Sequence, residues 1–270
     1  MHLTIDQLRF FKENGYLIVR DVLDADLMKR ARTRLWEYAP PGRSRDEPAT
    51  WVGPFLPEEE DVEKPNHRRG FRWQYREPGS EDWMVDLLAK NPDIWSMAEQ
   101  MIGEGTLVEP QRIRGIYCTM PYGEAPLPPL QCHCDGHPFH LGVVGYIDDV
   151  PPNGGGFTVW PGSHAPFYQS FKSQYLTEPT DAYDTIRQEF NEQKPVDCYG
   201  QAGDIVFWHH RLGHMAAPNA SGQIRQAVLY DYVKNDLEET QKEGPQPDMW
   251  RDWSQALRDA CGAKLGLPAA

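Results

Sequence analysis

The sequence has no long apolar run and little positive charge. No segment reaches the roughly 20 apolar residues that a membrane-spanning helix needs. The first residues, Met1-His-Leu-Thr-Ile-Asp6, lack a basic region followed by an apolar stretch. Against 40 Asp and Glu residues there are 27 Lys and Arg residues, which gives a net charge of −13. This balance argues against nucleic acid or an anionic membrane as the main partner, so we expect a cytoplasmic protein that binds a small molecule.

Cysteine is also scarce. The five cysteines form no CxxC pair and are odd in number; they are Cys118, Cys132, Cys134, Cys198 and Cys261. We therefore expect reduced thiols rather than a disulfide framework. The length suits one domain over residues 1–270, because barrels and sandwiches with added helices often reach that size undivided.

The first 36 residues carry helical signals. Thr4 and Gln7 have the spacing of a capping box, and Gly15 is a typical helix stop, so we predict a short amphipathic helix between them. Residues 16–19 are apolar and predict a strand, and helical spacing resumes from Asp24 to Trp36. The sequence thus predicts amino-terminal helices within residues 4–36.

From about residue 105 to 234 the pattern changes to short strands separated by turns, which is typical of an antiparallel sandwich or closed barrel. The predicted strands are 112–120, 131–135, 141–147, 157–160, 205–208 and 226–233. A final helix is predicted at about 250–263. The core of the domain should therefore be mainly β.

Two long segments interrupt these patterns. Residues 39–82 are rich in Pro, Gly, charge and aromatics, and we expect an irregular excursion there; residues 164–195 look like an insertion of loop and helix. Both are candidates for a lid or for pocket loops. Within the first segment Arg72 and Arg76 alternate with aromatic rings and are candidate substrate contacts. A solvated strand with extended arginines explains the same pattern.

The segment Gln131-Cys-His-Cys-Asp-Gly-His137 indicates a metal site. On a strand, His133 and Asp135 would share one face, and the intervening cysteines would point to the other. A later histidine, His214, would complete a set of two imidazoles and one carboxylate. That set leaves positions open on Fe(II) for substrate-derived ligands and O2, as in non-haem iron oxygenases.

Other histidines lie near these candidates, so proximity alone does not select the ligands. His137, His140, His164, His209 and His210 are alternatives, and the last two lie next to a predicted strand end. The joint occurrence of the chosen three with Arg225 favours them. On a strand Arg225 would share one face with residues 227 and 229, where its guanidinium could hold a dicarboxylate through a two-pronged contact.

Together these motifs resemble the phytanoyl-CoA dioxygenase (PhyH) family of Fe(II)- and 2-oxoglutarate-dependent oxygenases, over most of the chain. The matching stretches are 10–19, the His133-Cys-Asp135 pair, Asn153-Gly-Gly ahead of Trp160-Pro-Gly-Ser-His164, and Gly203-Asp-Ile-Val-Phe through His214, Asn219 and Arg225. The resemblance implies a double-stranded β-helix, a cupin-like jelly roll, with helices packed on one side.

The resemblance also implies the chemistry. His133, Asp135 and His214 would bind iron and form the catalytic centre, and Arg225 would take the distal carboxylate of 2-oxoglutarate. With O2, such enzymes convert 2-oxoglutarate to succinate and CO2 and oxidise a substrate, commonly by hydroxylation.

Two positions depart from the family pattern. Where members often carry a Ser or Thr that helps to bind 2-oxoglutarate, this chain has Ala216. Tyr117, Thr119 and Tyr146 are candidates for the missing hydrogen bond. Gln131 stands where an aromatic residue is frequent, which predicts a more polar pocket and makes Gln131 a candidate substrate contact.

Two other functions remain open from the sequence. A jelly-roll protein can hold Zn or Mn with the same ligands and act as an isomerase or hydrolase without 2-oxoglutarate. Alternatively, the chain is a non-catalytic protein that binds a metabolite. Arg225 disfavours the first alternative, and the intact set of ligands disfavours the second.

Overall fold

The computed structural model describes residues 1–63 and 66–260. The strands are β1 (Tyr16–Val19), β2 (Asn66–Arg69), β3 (Arg72–Tyr75), β4 (Gly115–Thr119), β5 (Leu141–Tyr146), β6 (Phe157–Val159), β7 (Val196–Cys198), β8 (Ile205–His209), β9 (His214–Ala216) and β10 (Arg225–Tyr232). The helices are α1 (Ile5–Asn14), α2 (Ala25–Trp36), α3 (Asp82–Leu87), α4 (Pro92–Ile102), α5 (His164–Gln169), α6 (Ala182–Asn191), α7 (Leu237–Thr240) and α8 (Gln255–Asp259).

The amino-terminal helices form where the sequence predicts them. Thr4 and Gln7 make the reciprocal capping box at the start of α1, and Gly15 ends the helix with a φ of 78°. The strand β1 follows at once and pairs with β8. Asp24 caps α2 by accepting a hydrogen bond from the backbone of Leu27. Local capping chemistry therefore sets these boundaries.

Two antiparallel sheets form the β-structure. The larger sheet has the order β1-β8-β5-β10-β4-β3-β2, and the smaller has the order β7-β6-β9. Side chains of Val144, Trp208 and Leu229 on the larger sheet form one core with Phe157 and Val159 of the smaller sheet. The opposite face of the larger sheet packs against α1 to α4. The result is a mainly β fold with helices on one side, as expected for a jelly roll.

Residues 39–82 differ from the sequence prediction. They contain β2 and β3, a hairpin that extends the larger sheet through the pairing of β3 with β4. Each strand is only four residues long. In β3 the buried rings of Trp73 and Tyr75 alternate with Arg72 and Gln74, which agrees with the alternative of a solvated strand, whereas β2 is polar throughout and gives no such signal. Pairing of β3 with β4 joins this hairpin to the larger sheet.

The small strands also differ from prediction. Residues 131–135 form no continuous strand, because His133 alone makes a bridge, which is antiparallel to His214. The strands β7 and β9 have three residues each and were not predicted. Both strands are short and, unlike the equally short β6, do not lie in a stretch rich in β-branched and aromatic residues.

Residues 164–195 contain α5, α6 and loops, as predicted. Phe167 and Phe171 from this segment pack against Cys132 and Cys134, on the face opposite to His133 and Asp135. The described cysteines are buried and unpaired. Residues 164–195 therefore pack behind the segment that carries His133 and Asp135.

The carboxyl-terminal helix α8 lies inside the predicted range 250–263. Residues 261–263, with Cys261, lie outside the described residues. In the part of the chain that the structure describes, no helix combines the length and apolar character needed to cross a bilayer.

A cluster of histidines lies buried beside this helix. The ring of His209 stacks on Trp253 with centroids 5.1 Å apart, and His164 packs against His209 and Trp250. Burial lowers the pKa of His164 to about 4 and that of His140 to about 3. These rings are therefore neutral at pH 7 and form part of the buried core, where ring nitrogens of His164 and His209 make hydrogen bonds to the backbone.

Acid should destabilise the fold through these rings. An unfolded histidine titrates near pH 6.5, and His164 titrates near pH 4 in the folded chain, so only the unfolded state gains its proton between these values. The free energy of unfolding should fall as the pH drops through this window, by about 1.4 kcal/mol per pH unit for each such ring. Urea denaturation of His164→Gln at pH 5, 6 and 7 should show a slope smaller by about that amount. An unchanged slope would contradict this interpretation.

Candidate metal and co-substrate site

The three predicted metal ligands meet at one place. His214 at the start of β9 and His133 exchange backbone hydrogen bonds of 2.9 Å and 3.3 Å, so the two residues lie directly opposite each other. Asp135 follows two residues after His133. One ligand atom from each side chain lies within 4.8 Å of the other two. Among residues 1–63 and 66–260, this is the group of His, Cys, Asp and Glu side chains that could hold a metal.

Gly213 makes the approach of these strands possible. A Cβ atom at this position would overlap the sulfur of Cys132. The backbone of Gly213 is also fixed by a 2.8 Å hydrogen bond to the hydroxyl of Ser163, in the turn that follows β6. Close backbone packing therefore brings His214 opposite His133.

The hydrogen bonds around His214 orient its ring for metal binding. Its Nδ1 lies 2.8 Å from the carbonyl of Leu212, which makes Nδ1 the protonated nitrogen. The other ring nitrogen, Nε2, faces Asp135 and lies 3.6 Å from its Oδ2. Desolvation and the neighbouring His214 lower the pKa of His133 to about 4, so His133 is neutral at pH 7. Neutral imidazoles are the form that binds metals.

Asp135 is held in its ionised form. Burial alone would raise its pKa, but His214 and Arg114 outweigh this effect and hold the pKa well below its usual range. Arg114 donates a 3.1 Å hydrogen bond to Asp135 and two 2.7 Å bonds to Asp231. The Arg114–Asp231 pair thus orients the carboxylate of this candidate metal ligand.

Arg225 is buried at the start of β10 and lies on the cavity face, as the sequence predicts. Its Nε donates to the carbonyl of Gly155 at 2.9 Å and its Nη1 to the carbonyl of Tyr117 at 3.1 Å. Gly155 has a φ of 78°, and an added Cβ would crowd Asn219, so the turn that presents this carbonyl requires glycine. Burial lowers the pKa of Arg225 to about 10, and the guanidinium remains charged at pH 7.

The three candidate hydroxyl groups lie in different environments. Tyr117 lines the cavity, and its hydroxyl accepts a bond from Arg76. The Thr119 hydroxyl lies 3.4 Å from Nη1 of Arg72. The Tyr146 hydroxyl donates to the carbonyl of Cys198 and accepts from the backbone of Phe157, so it joins the two sheets and has no free hydrogen for a co-substrate.

The candidate substrate contacts are also dispersed. Arg72 and Gln131 line the cavity, and Arg72 donates a 2.6 Å hydrogen bond to the carbonyl of Ala216. Arg76 lies further out, where it bonds to Tyr117 and Gln74.

A cavity of about 370 Å³ connects these groups. Its walls combine polar groups at the metal site with the apolar side chains of Val144, Phe157, Trp208 and Leu229. Residues 39–82 contribute Arg72 and Gln74 to the wall of the cavity. Residues 164–195 contribute no side chain to it. The hairpin of β2 and β3, for which the sequence left a solvated strand open as an alternative, therefore forms one wall.

The structure also places beside the candidate site two charged residues that sequence reasoning missed. Arg114 and Asp231 are separated by 117 positions, and no local pattern connects them. His209 and His210, the alternative ligands, lie in the buried histidine cluster, where they pack against each other and against Trp253 and Tyr175. The structure thus separates them from Asp135.

The sequence profile of the phytanoyl-CoA dioxygenase (PhyH) family matches residues 11–227, which is more than half of the chain. The chain belongs to this family. The resemblance predicted from its motifs is therefore confirmed, and membership confirms the predicted class of enzyme, an Fe(II)- and 2-oxoglutarate-dependent oxygenase. No curated protein matches the chain significantly in sequence.

Solved structures confirm the jelly-roll fold. SnoK, a non-haem alpha-ketoglutarate-dependent carbocyclase from nogalamycin biosynthesis, is 20% identical with a TM-score of 0.56, over 92% of this chain and 95% of that chain. EctD from S. alaskensis with bound Fe is 16% identical with a TM-score of 0.54, over 91% and 81% of the two chains. HygX from Streptomyces hygroscopicus, with nickel, 2-oxoglutarate and hygromycin B bound, is 15% identical with a TM-score of 0.53, over 86% and 88%.

Replacing Arg114 should weaken metal binding. Arg114→Met removes the bond to Asp135 and leaves Asp231 without its cation, and loss of such supporting contacts typically costs roughly 10- to 100-fold in metal affinity. Anaerobic calorimetric titration with Fe(II) measures this loss. Arg112→Met, at an exposed position two residues earlier, is the matched control. Equal affinities in two folded variants would show that Arg114 has no orienting role.

Proposed function

We propose that this protein is a dioxygenase that hydroxylates or otherwise oxidises a small organic substrate, forming succinate and CO2 from 2-oxoglutarate. The observation that carries the proposal is the position of His133, Asp135, His214 and Arg225 on one cavity. Two imidazoles and one carboxylate suit Fe(II) and leave positions open for a chelating co-substrate. SnoK comes from nogalamycin biosynthesis, and HygX was crystallised with hygromycin B. Both therefore support a small organic molecule as the substrate.

Each residue has a distinct role in this proposal. His133, Asp135 and His214 would hold Fe(II), which together with 2-oxoglutarate and O2 supplies the oxidising power for a C–H bond. Arg114 orients Asp135, and Arg225 fixes the far end of the co-substrate through its guanidinium. The apolar wall formed by Val144, Phe157 and Trp208 excludes water from the reacting groups.

The dimensions of the cavity limit what enters it. Its volume of about 370 Å³ lies near the lower end of small-molecule sites, and the co-substrate takes part of this space. We infer that only the reacting part of a large substrate reaches the metal. Gln131 and Gln74, with Arg76 further out, give the approach a polar character that suits a substrate with hydroxyl or anionic groups.

We also propose a cytoplasmic location. The described cysteines are buried and unpaired, and Cys132 and Cys134 pack as small apolar groups close to the metal site. Reduced thiols persist in the cytoplasm. The net charge of −13 disfavours nucleic acid as a partner and favours a small molecule.

An anaerobic titration tests the proposed function. Purified apoprotein receives Fe(II) and then 2-oxoglutarate, and the weak visible metal-to-ligand charge-transfer band is recorded. The wild type should form the band. His214→Ala should lose it because a metal ligand is missing, and Arg225→Ala should lose it at the same co-substrate concentration although Fe(II) still binds. Arg112→Met should behave as the wild type does.

The titration also separates the alternatives. A band that depends on both residues justifies a screen of candidate substrates by succinate release. A folded, Fe(II)-loaded wild type without a band would refute the proposal. The metal-dependent isomerase or hydrolase and the metabolite-binding protein would then be the functions to examine.

A further inference from the structure

Two arginines face the cavity on either side of one threonine. Arg225 on β10 and Arg72 on β3 are both register partners of Thr119 on the intervening strand β4. The three residues therefore form a row across adjacent strands of the larger sheet. Directly opposite residues on neighbouring strands lie close enough for their side chains to interact.

Neither guanidinium of this row has a carboxylate partner among the described residues. Arg225 is buried and donates to the carbonyls of Gly155 and Tyr117. Arg72 is half-buried and donates to the carbonyl of Ala216 at 2.6 Å and, at 3.4 Å, to the Thr119 hydroxyl. Carbonyl groups satisfy hydrogen bonds but leave both positive charges without a counter-ion.

Two other enclosed arginines of the chain are neutralised by carboxylates, whereas the buried Arg211, away from the cavity, has only carbonyl partners. Arg43 forms a buried ion pair with Glu59, and Arg114 pairs with Asp231 and Asp135. Enclosing an unpaired charge is costly, and two enclosed cations next to each other add mutual repulsion. Burial and, in addition, the charge of Arg72 both lower the pKa of Arg225. The two positive charges of this row therefore suit the binding of an anion that is not part of the chain.

The position of Arg72 indicates which anion it meets. Its guanidinium lies against the backbone of Ala216, two residues after the metal ligand His214, where this chain has no side-chain hydroxyl. The same row contains Arg225, the proposed partner of the far carboxylate of the co-substrate. We propose that Arg72 and Arg225 bind the distal carboxylate of 2-oxoglutarate together, with the Thr119 hydroxyl positioning Arg72.

This inference rests on the proposed function and changes the role expected for Arg72 from the sequence. The distal carboxylate then receives charge-assisted hydrogen bonds from two arginines. The family pattern would instead provide one arginine and one hydroxyl. The site should therefore discriminate strongly against 2-oxo acids that lack the distal carboxylate. It should also retain part of its affinity for 2-oxoglutarate when either arginine is replaced alone.

The test compares two ligands in two variants. Anaerobic calorimetry of the metal-loaded protein gives the Kd of 2-oxoglutarate and of 2-oxopentanoate, which has the same carbon chain without the distal carboxylate. Arg72→Met should raise the Kd of 2-oxoglutarate roughly 10- to 100-fold, the range expected for one charge-assisted contact. It should leave the Kd of 2-oxopentanoate unchanged. Arg69→Met is the matched control, because Arg69 is the exposed partner of Arg72 in the same hairpin.

Two further variants keep the test decisive. Arg72→Lys retains the charge and should lose less affinity for 2-oxoglutarate than Arg72→Met, so it serves if the latter fails to fold. Ala216→Ser, added to Arg72→Met, should recover part of the lost affinity by supplying a hydroxyl. Recovery of this kind would not follow from a purely structural role for Arg72.

Three results would overturn the inference in different ways. Equal Kd values for 2-oxoglutarate in Arg72→Met and Arg69→Met would show that Arg72 does not bind the co-substrate. An anionic group of the substrate would then be the partner expected for Arg72. Equal losses for both ligands would indicate structural damage. A folded, metal-loaded wild type that binds neither acid would refute the proposed function itself.

Discussion

The backbone bridge between His133 and His214 is the contact on which the site depends. It joins a segment without regular structure to the smaller sheet and brings the centroids of the two imidazole rings to 4.9 Å from each other. The segment is supported from behind, where the backbone of Cys132 donates to Asn191 and that of Cys134 to Tyr183. The insertion of residues 164–195 therefore stabilises the metal site from outside the cavity. Rigid support of this kind keeps metal ligands in a productive geometry.

The distribution of charge is the second constraint. A chain with a net charge of −13 concentrates cations at one cavity. There, Arg114 is neutralised by carboxylates and fixes Asp135, whereas Arg72 and Arg225 have only carbonyl and hydroxyl partners. Positive charge in the cavity attracts an anionic co-substrate, whereas the negative net charge of the rest of the protein repels it. The same enclosure that lowers the pKa of Arg225 also strengthens its contact with a bound anion.

The parts of the structure that depend on local chemistry could be predicted from the sequence. The capping box of α1, the strand β1 and the shared face of residues 225, 227 and 229 follow from capping and periodicity, and the structure has them. The features that depend on distant pairing could not be predicted. The hairpin that delivers Arg72 exists because β4 pairs with it, and the Arg114–Asp231 contact joins positions 117 residues apart. From its position in the sequence, Tyr146 is a candidate for the hydrogen bond to 2-oxoglutarate. In the folded chain, however, its hydroxyl is already hydrogen-bonded to the backbone of Cys198 and Phe157.

The most direct test of the central claim is a crystal structure of the protein grown anaerobically with Fe(II) and 2-oxoglutarate. The account predicts one metal ion bound by a ring nitrogen of His133, by Nε2 of His214 and by one carboxylate oxygen of Asp135. It also predicts that the co-substrate chelates the metal and extends its distal carboxylate toward Arg225. A metal bound elsewhere, for example in the buried cluster around His209, or a co-substrate that does not reach the metal, would contradict the account.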